Sequence, residues 1–96
     1  MRITIESAAV KWLKEELTLK SGDSVRFVVR YGGNSTIQSG YSVGLALEQP
    51  EDVAAFIEKD GILFFVDSDD IWYFQEYDLG VGYNTTIDEI EFNYVK

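Results

Sequence analysis

Neither cysteine nor histidine occurs anywhere in this 96-residue chain. Without thiolates or imidazoles the usual ligands for zinc, copper, haem iron and iron–sulfur clusters are gone. The commonest catalytic nucleophile and the one side chain that titrates near neutrality unperturbed go with them. Proline and methionine occur once each, and no apolar run approaches the length needed to span a membrane. Disulfides and structural metals are therefore excluded as staples. What is present instead is bulk: 46% of residues are hydrophobic and 15% aromatic, with six Tyr, six Phe and two Trp. Large rings must fill the core. A chain this short cannot divide into two self-sufficient cores, so residues 1–96 are expected to form a single domain. Such a domain buries only about 60% of its unfolded surface, and further burial in a homodimer is a natural source of stability.

Charge is the second deficit, and it is one of sign. Eight basic residues face seventeen acidic ones, for a net charge of −9. Residues 1–40 carry six basic and four acidic side chains, whereas residues 41–96 carry two and thirteen. A nucleic-acid partner is not expected, because phosphate affinity needs clustered Lys and Arg. A local basic face in the first half is still open. The start of the chain, Met1-Arg2-Ile3-Thr4-Ile5, enters an alternating pattern directly, with no signal-like apolar stretch. The expectation is a cytoplasmic protein that does not engage a membrane.

Local patterning predicts mostly strands. After a first strand at Ile3 and Ile5, Ser7 is a good N-cap, and Val10, Leu13 and Leu17 share one helical face. With Glu16 and Lys20 spaced as an i,i+4 pair and Gly22 as a stop, a helix is predicted over about 8–20. Val25, Phe27, Val29 and Tyr31 then alternate with Arg26, Val28 and Arg30. The glycine pair at 32 and 33 breaks this strand. Tyr41, Val43, Leu45 and Leu47 alternate with small residues, giving a neighbouring strand with one face open to close approach. Pro50 opens a loop. Residues 53–58 fit helix or strand equally. Asp60-Gly61 reads as a hairpin turn into Ile62–Val66, apolar on both faces and thus a central strand. Ser68 should cap a short helix whose first turn holds Asp69 and Asp70. Strands around Leu79–Tyr83 and Ile90–Tyr94 complete an α+β fold, a small mixed β-sandwich with an N-terminal helix and a second short helix.

The strand Val25-Arg26-Phe27-Val28-Val29-Arg30 running into Gly-Gly-x-Ser resembles the HesB-like, A-type carrier domains of iron–sulfur cluster biogenesis. Asp60-Gly61, Phe65-Val66-Asp67, Leu79-Gly80-Val81-Gly82-Tyr83 and Glu91-Phe92-Asn93 follow in that family's order across nearly the whole chain. The likeness is strongest to a short, divergent branch. In metal-carrying members a cysteine follows the two glycines, and a carboxy-terminal Cys-Gly-Cys supplies the other ligands. Here Asn34 occupies the first position and the second motif is absent. A neutral amide oxygen cannot replace a thiolate on cluster iron, so neither cluster nor other cofactor nor metal is expected.

The candidate binding loop is Gly32, Gly33, Asn34 and Ser35. Asn34 suits a tight turn on its own account; alternatively it forms with Ser35 a small polar nest for an anion or a partner backbone. Ser35 has no histidine to activate it. Asp67, Asp69 and Asp70 fail as a calcium loop, since Trp72 and Asp78 stand where Gly and Glu are needed, and helix capping explains them. Arg26 and Arg30 share one strand face and form a candidate interaction face for an acidic surface or a phosphate, unless they pair with acids of the second half. Trp72-Tyr73-Phe74 reads first as core, and an exposed ring among them would be an interaction anchor. The resemblance implies a non-enzymatic binding or accessory protein that meets a protein partner, iron–sulfur assembly proteins among the candidates, without holding a cluster. The alternative is a protein–protein or small-ligand interaction module on the same fold, unrelated to iron.

Overall fold

The computed structural model describes residues 1–35 and 37–96, with Asn34 described by its backbone alone. Among the described residues seven strands form two sheets. The first contains β1 (Ile3–Ile5), β6 (Asp78–Asn84) and β7 (Glu89–Val95) in the order β1-β6-β7. The second contains β2 (Ser24–Asn34), β3 (Ser39–Leu47), β4 (Val53–Lys59) and β5 (Ile62–Asp67) in the order β3-β2-β5-β4. Each sheet is mixed, because β1 runs parallel to β6 and β2 parallel to β5 while the other pairs are antiparallel. Helix α1 (Ser7–Glu16) directs Ala9, Val10 and Leu13 into the core. A 3-10 turn (Ser68–Asp70) leads into the four-residue α2 (Ile71–Phe74).

The alternation in β2 and β5 decides which side chains meet between the sheets. Val25, Phe27, Ile62, Phe64 and Val66 join Leu79 and Val81 in one buried cluster, as a period of two demands. The ring of Phe27 stacks on Phe64 and meets Phe92 edge-on. Residues 53–58, open between helix and strand in the sequence, are strand: β4 pairs along β5 with Phe56 opposite Phe65. The turn between them places Asp60 and Gly61 at φ 52° and 76°, the left-handed pair that a two-residue hairpin needs.

Three local expectations are corrected. The helix ends at Glu16 rather than near residue 20, because Thr18 adopts φ 51° and returns Leu19 to the core. Lys20 is thereby outside the helix and cannot form the i,i+4 pair with Glu16. Ser7 is the first helical residue, and the capping position belongs to Glu6, held extended by its backbone N–H on the Val81 carbonyl at 3.0 Å. At the second helical segment Asp67, not Ser68, provides the cap, its carboxylate accepting from the Asp69 N–H at 2.9 Å.

The outer face of the four-stranded sheet carries Arg26, Leu63, Phe65 and Phe56. Strand β3 ends level with Val25, and β4 begins level with Asp67. Residues 48–52 must therefore cross the sheet obliquely from one edge to the other. Glu48 bonds Arg26 on the way, and the Asp52 carbonyl accepts from the Ser68 N–H at 2.8 Å. Phe65, buried although it points away from the intersheet core, lies on this crossed face.

Candidate functional site

Strand β2 pairs with β5 only over Ser24–Arg26, yet its pairing with β3 continues through Tyr31 opposite Tyr41 to Asn34 opposite Ser39. The distal half of the β2–β3 hairpin is therefore a two-stranded arm that outruns the sheet. Side chains alternate across it, so it has an aromatic face and a cationic face.

Tyr31 and Tyr41 share the aromatic face, their rings edge-to-face at 5.7 Å. Tyr41 meets Trp72 at 5.2 Å, and Trp72 meets Tyr73 at 6.1 Å, again edge-on. Tyr73 is fully buried and continues to Phe74 and Tyr94. This chain of rings runs from the core to solvent: Tyr31 is 89% exposed and Trp72 49% exposed. Each ring meets the next at its edge, so the exposed aromatics are linked by contact to the buried ones. Partly exposed Tyr and Trp are the residue types that anchor protein interfaces.

At the tip, Gly32 and Gly33 take φ 112° and 68°, and the pairing shifts register between Tyr31 and Asn34. The glycine pair thus bends β2 but does not end it. The Ser35 hydroxyl donates to the Gln38 carbonyl and accepts from the Gln38 N–H, both at 3.1 Å. Its role is to close the turn. The side chain of Asn34 lies outside the described residues, so of the four loop residues Gly32, Gly33 and Ser35 are placed in full.

The two arginines separate. Arg26 donates to Glu48 at 2.9 Å and Asp70 at 2.8 Å, with side-chain exposures of 17% for Arg26 and 11% for Asp70. These hydrogen bonds, led by Asp70, hold the guanidinium pKa above its ordinary value. Arg26 is tied to acids of the second half. Arg30 is exposed on the same side of the strand, and among the described residues no carboxylate pairs with it. The neighbouring acids have structural partners, Asp67 on the Asp69 N–H and Asp70 on Arg26. Among the described residues no group of three acidic, His or Cys side chains could hold a metal ion.

The sequence read Trp72 first as core with its neighbours and named an exposed ring among them as the alternative; Trp72 is that ring. A signal was available: a four-residue helix cannot turn three consecutive large rings inward, and Tyr73 and Phe74 take the inward positions. The exposure of Tyr31 follows from how far β5 extends beside β2, which no local pattern encodes.

The architecture is the HesB-like fold. It matches, over 96% of this chain and 79% of each solved chain, the crystal structures of IscA with a 2Fe-2S cluster and of Escherichia coli SufA, involved in biosynthesis of iron–sulfur clusters. Both have a TM-score of 0.58, at 14% and 18% identity respectively. Likeness at that identity is one of fold. No family model matches the chain. Full-length relatives do: a Bacillus subtilis protein named pyruvate dehydrogenase inhibitor is 49% identical over 94 residues, covering 98% of this chain and 99% of its own. An uncharacterised Staphylococcus saprophyticus protein is 39% identical over 95 residues, covering 96% and 97%. An uncharacterised Staphylococcus haemolyticus protein is 33% identical over 99 residues and covers both chains entirely. The chain belongs to the family these proteins form.

Proposed function

We propose that this chain is a non-enzymatic protein-binding inhibitor of pyruvate dehydrogenase, acting through the aromatic face of its β2–β3 arm. The observation that carries the reading is the ladder Tyr31, Tyr41, Trp72, a run of ring contacts that leads from buried Tyr73 to an almost fully exposed tyrosine. Surface rings held this way supply contact area at low entropic cost. The target is taken from the 49% identical Bacillus relative, whose name makes it an inhibitor of that enzyme. Inhibition by docking asks for no cofactor, metal or nucleophile, in keeping with a chain free of Cys and His.

The fold shared with IscA and SufA favours a second reading, an accessory protein that meets iron–sulfur assembly proteins without carrying a cluster. The two separate by titration. Added to pyruvate dehydrogenase from its own cell, the purified chain lowers turnover saturably on the first reading. Tyr31→Ser combined with Trp72→Ser raises the half-inhibitory concentration at least about tenfold, as expected when interface anchors are removed. Absence of inhibition, with saturable binding to assembly proteins instead, supports the second reading and rejects the first.

A further inference from the structure

Arg30 is exposed, and its side chain lies against the neighbouring strand. Its stem lies across β3 at Gly44, the diagonal neighbour in a register that sets Val28 opposite Gly44 and Arg30 opposite Ser42. A Cβ at position 44 would collide with Arg30 Cδ and lie 2.9 Å from Nη1 and 3.2 Å from Nε. At Gly44 the small face of β3 therefore receives the side chain of Arg30. Its guanidinium has no ion pair among the described residues, although the chain has seventeen acids to eight bases. Arg26, four residues earlier on the same face, bonds two of those acids.

We infer that Arg30, laid over Gly44, is the recognition cation of the arm and receives a carboxylate of the partner protein. This rests on the reading of the arm as a docking surface. An arginine fork held in one orientation matches a carboxylate with two parallel hydrogen bonds. Charge complementarity supports the assignment: on a protein of net charge −9 an unneutralised guanidinium is the local exception, and a singly charged carboxylate meets less repulsion from the rest of the surface than a phosphate dianion. Tyr31 follows Arg30 directly in β2 and faces the other side of the ribbon, so a partner gripping the arm meets a ring on one side and the cation on the other.

The test measures binding to intact pyruvate dehydrogenase by surface-coupled kinetics at about 0.05 and about 0.3 M salt, where screening lengths differ about twofold or more. Arg30→Gln weakens binding about tenfold at low salt and flattens the salt dependence, with the midpoint of thermal unfolding unchanged. Arg30→Lys restores part of the loss, because charge returns without the fork. Gly44→Ala, which keeps the charge and displaces the flexible stem, weakens binding nearly as much as Arg30→Gln. Equal affinity of wild type and Arg30→Gln overturns the inference while leaving the inhibitor reading intact. Wild-type affinity in Gly44→Ala overturns the positioning by Gly44. Loss of wild-type binding after phosphatase treatment of the enzyme overturns the carboxylate assignment in favour of phosphate. Without any partner, side-chain Nε relaxation reports whether Arg30 is held: motion restricted relative to Arg2 is expected, and equal mobility overturns the inference even if the enzyme proves to be the wrong target.

Discussion

Replacing Arg26 by Gln should be among the most damaging single changes on the outer sheet face. The substitution removes two charge-assisted hydrogen bonds, at 2.9 Å to Glu48 and 2.8 Å to Asp70. It strands the Asp70 carboxylate, whose side chain is only 11% exposed. Removing one partner of a fully buried pair costs about 3–5 kcal/mol, and the residual exposure here reduces that to about 2–3 kcal/mol. The Glu48 side chain is 45% exposed, so its share is about 0.5 kcal/mol or less. Arg26 Nε is buried without a partner among the described residues, which further limits what the group adds when intact. Urea unfolding of Arg26→Gln, Asp70→Asn and the double variant gives the coupling by cycle. About 2 kcal/mol is expected between Arg26 and Asp70, with the melting midpoint of Arg26→Gln lowered by about 10–20 °C for a domain of this size. A coupling to Glu48 larger than that to Asp70, or a total loss below about 0.5 kcal/mol, would refute the assignment of Arg26 to the scaffold.

Alkaline stability should report on Tyr94. Burial first, and then its hydroxyl contact with Tyr73 at 3.0 Å, raise its pKa above the ordinary tyrosine value. The folded protein thus keeps a proton that the unfolded chain releases above about pH 10. Stability from this group is complete below that pH and falls as pH rises, by up to about 1.4 kcal/mol per unit. Tyr94→Phe should make the decline shallower, and an unchanged slope in pH-dependent denaturation would reject this cause. Anaerobic reconstitution with iron and sulfide should leave colourless protein after desalting, since no thiolate exists to hold a cluster; stoichiometric iron with visible charge-transfer absorption would contradict it.

The parts of the fold legible in the sequence are those with local causes. Alternation placed β2, β3, β6 and β7, and Asp60-Gly61 marked its hairpin because two consecutive left-handed residues select that pair. The continuous apolar run 62–66 became the internal strand β5 for the reason its two-sided burial required. Misread features depended on distant partners. Glu6 replaces Ser7 at the start of α1 because β6, more than seventy residues later, holds it extended. The arginines looked equivalent in sequence, and Asp70, brought beside Arg26 by the turn after β5, made them different. The arm itself emerges only from the mismatch between a long β2–β3 pairing and a short β2–β5 pairing. The glycine pair marked its tip without revealing that the strands reach it with no β5 pairing beside them.

The central claim is that the arm docks on pyruvate dehydrogenase, and hydrogen–deuterium exchange of the chain with and without saturating enzyme tests it most directly. Backbone amides of 29–33 and 41–44 in the arm, together with those of Ile71–Phe74 beneath Trp72, should gain protection on binding, while the β6–β7 hairpin at Asn84–Glu89 stays unchanged. Inhibition accompanied by protection at β6 and β7 but none in the arm would contradict the account.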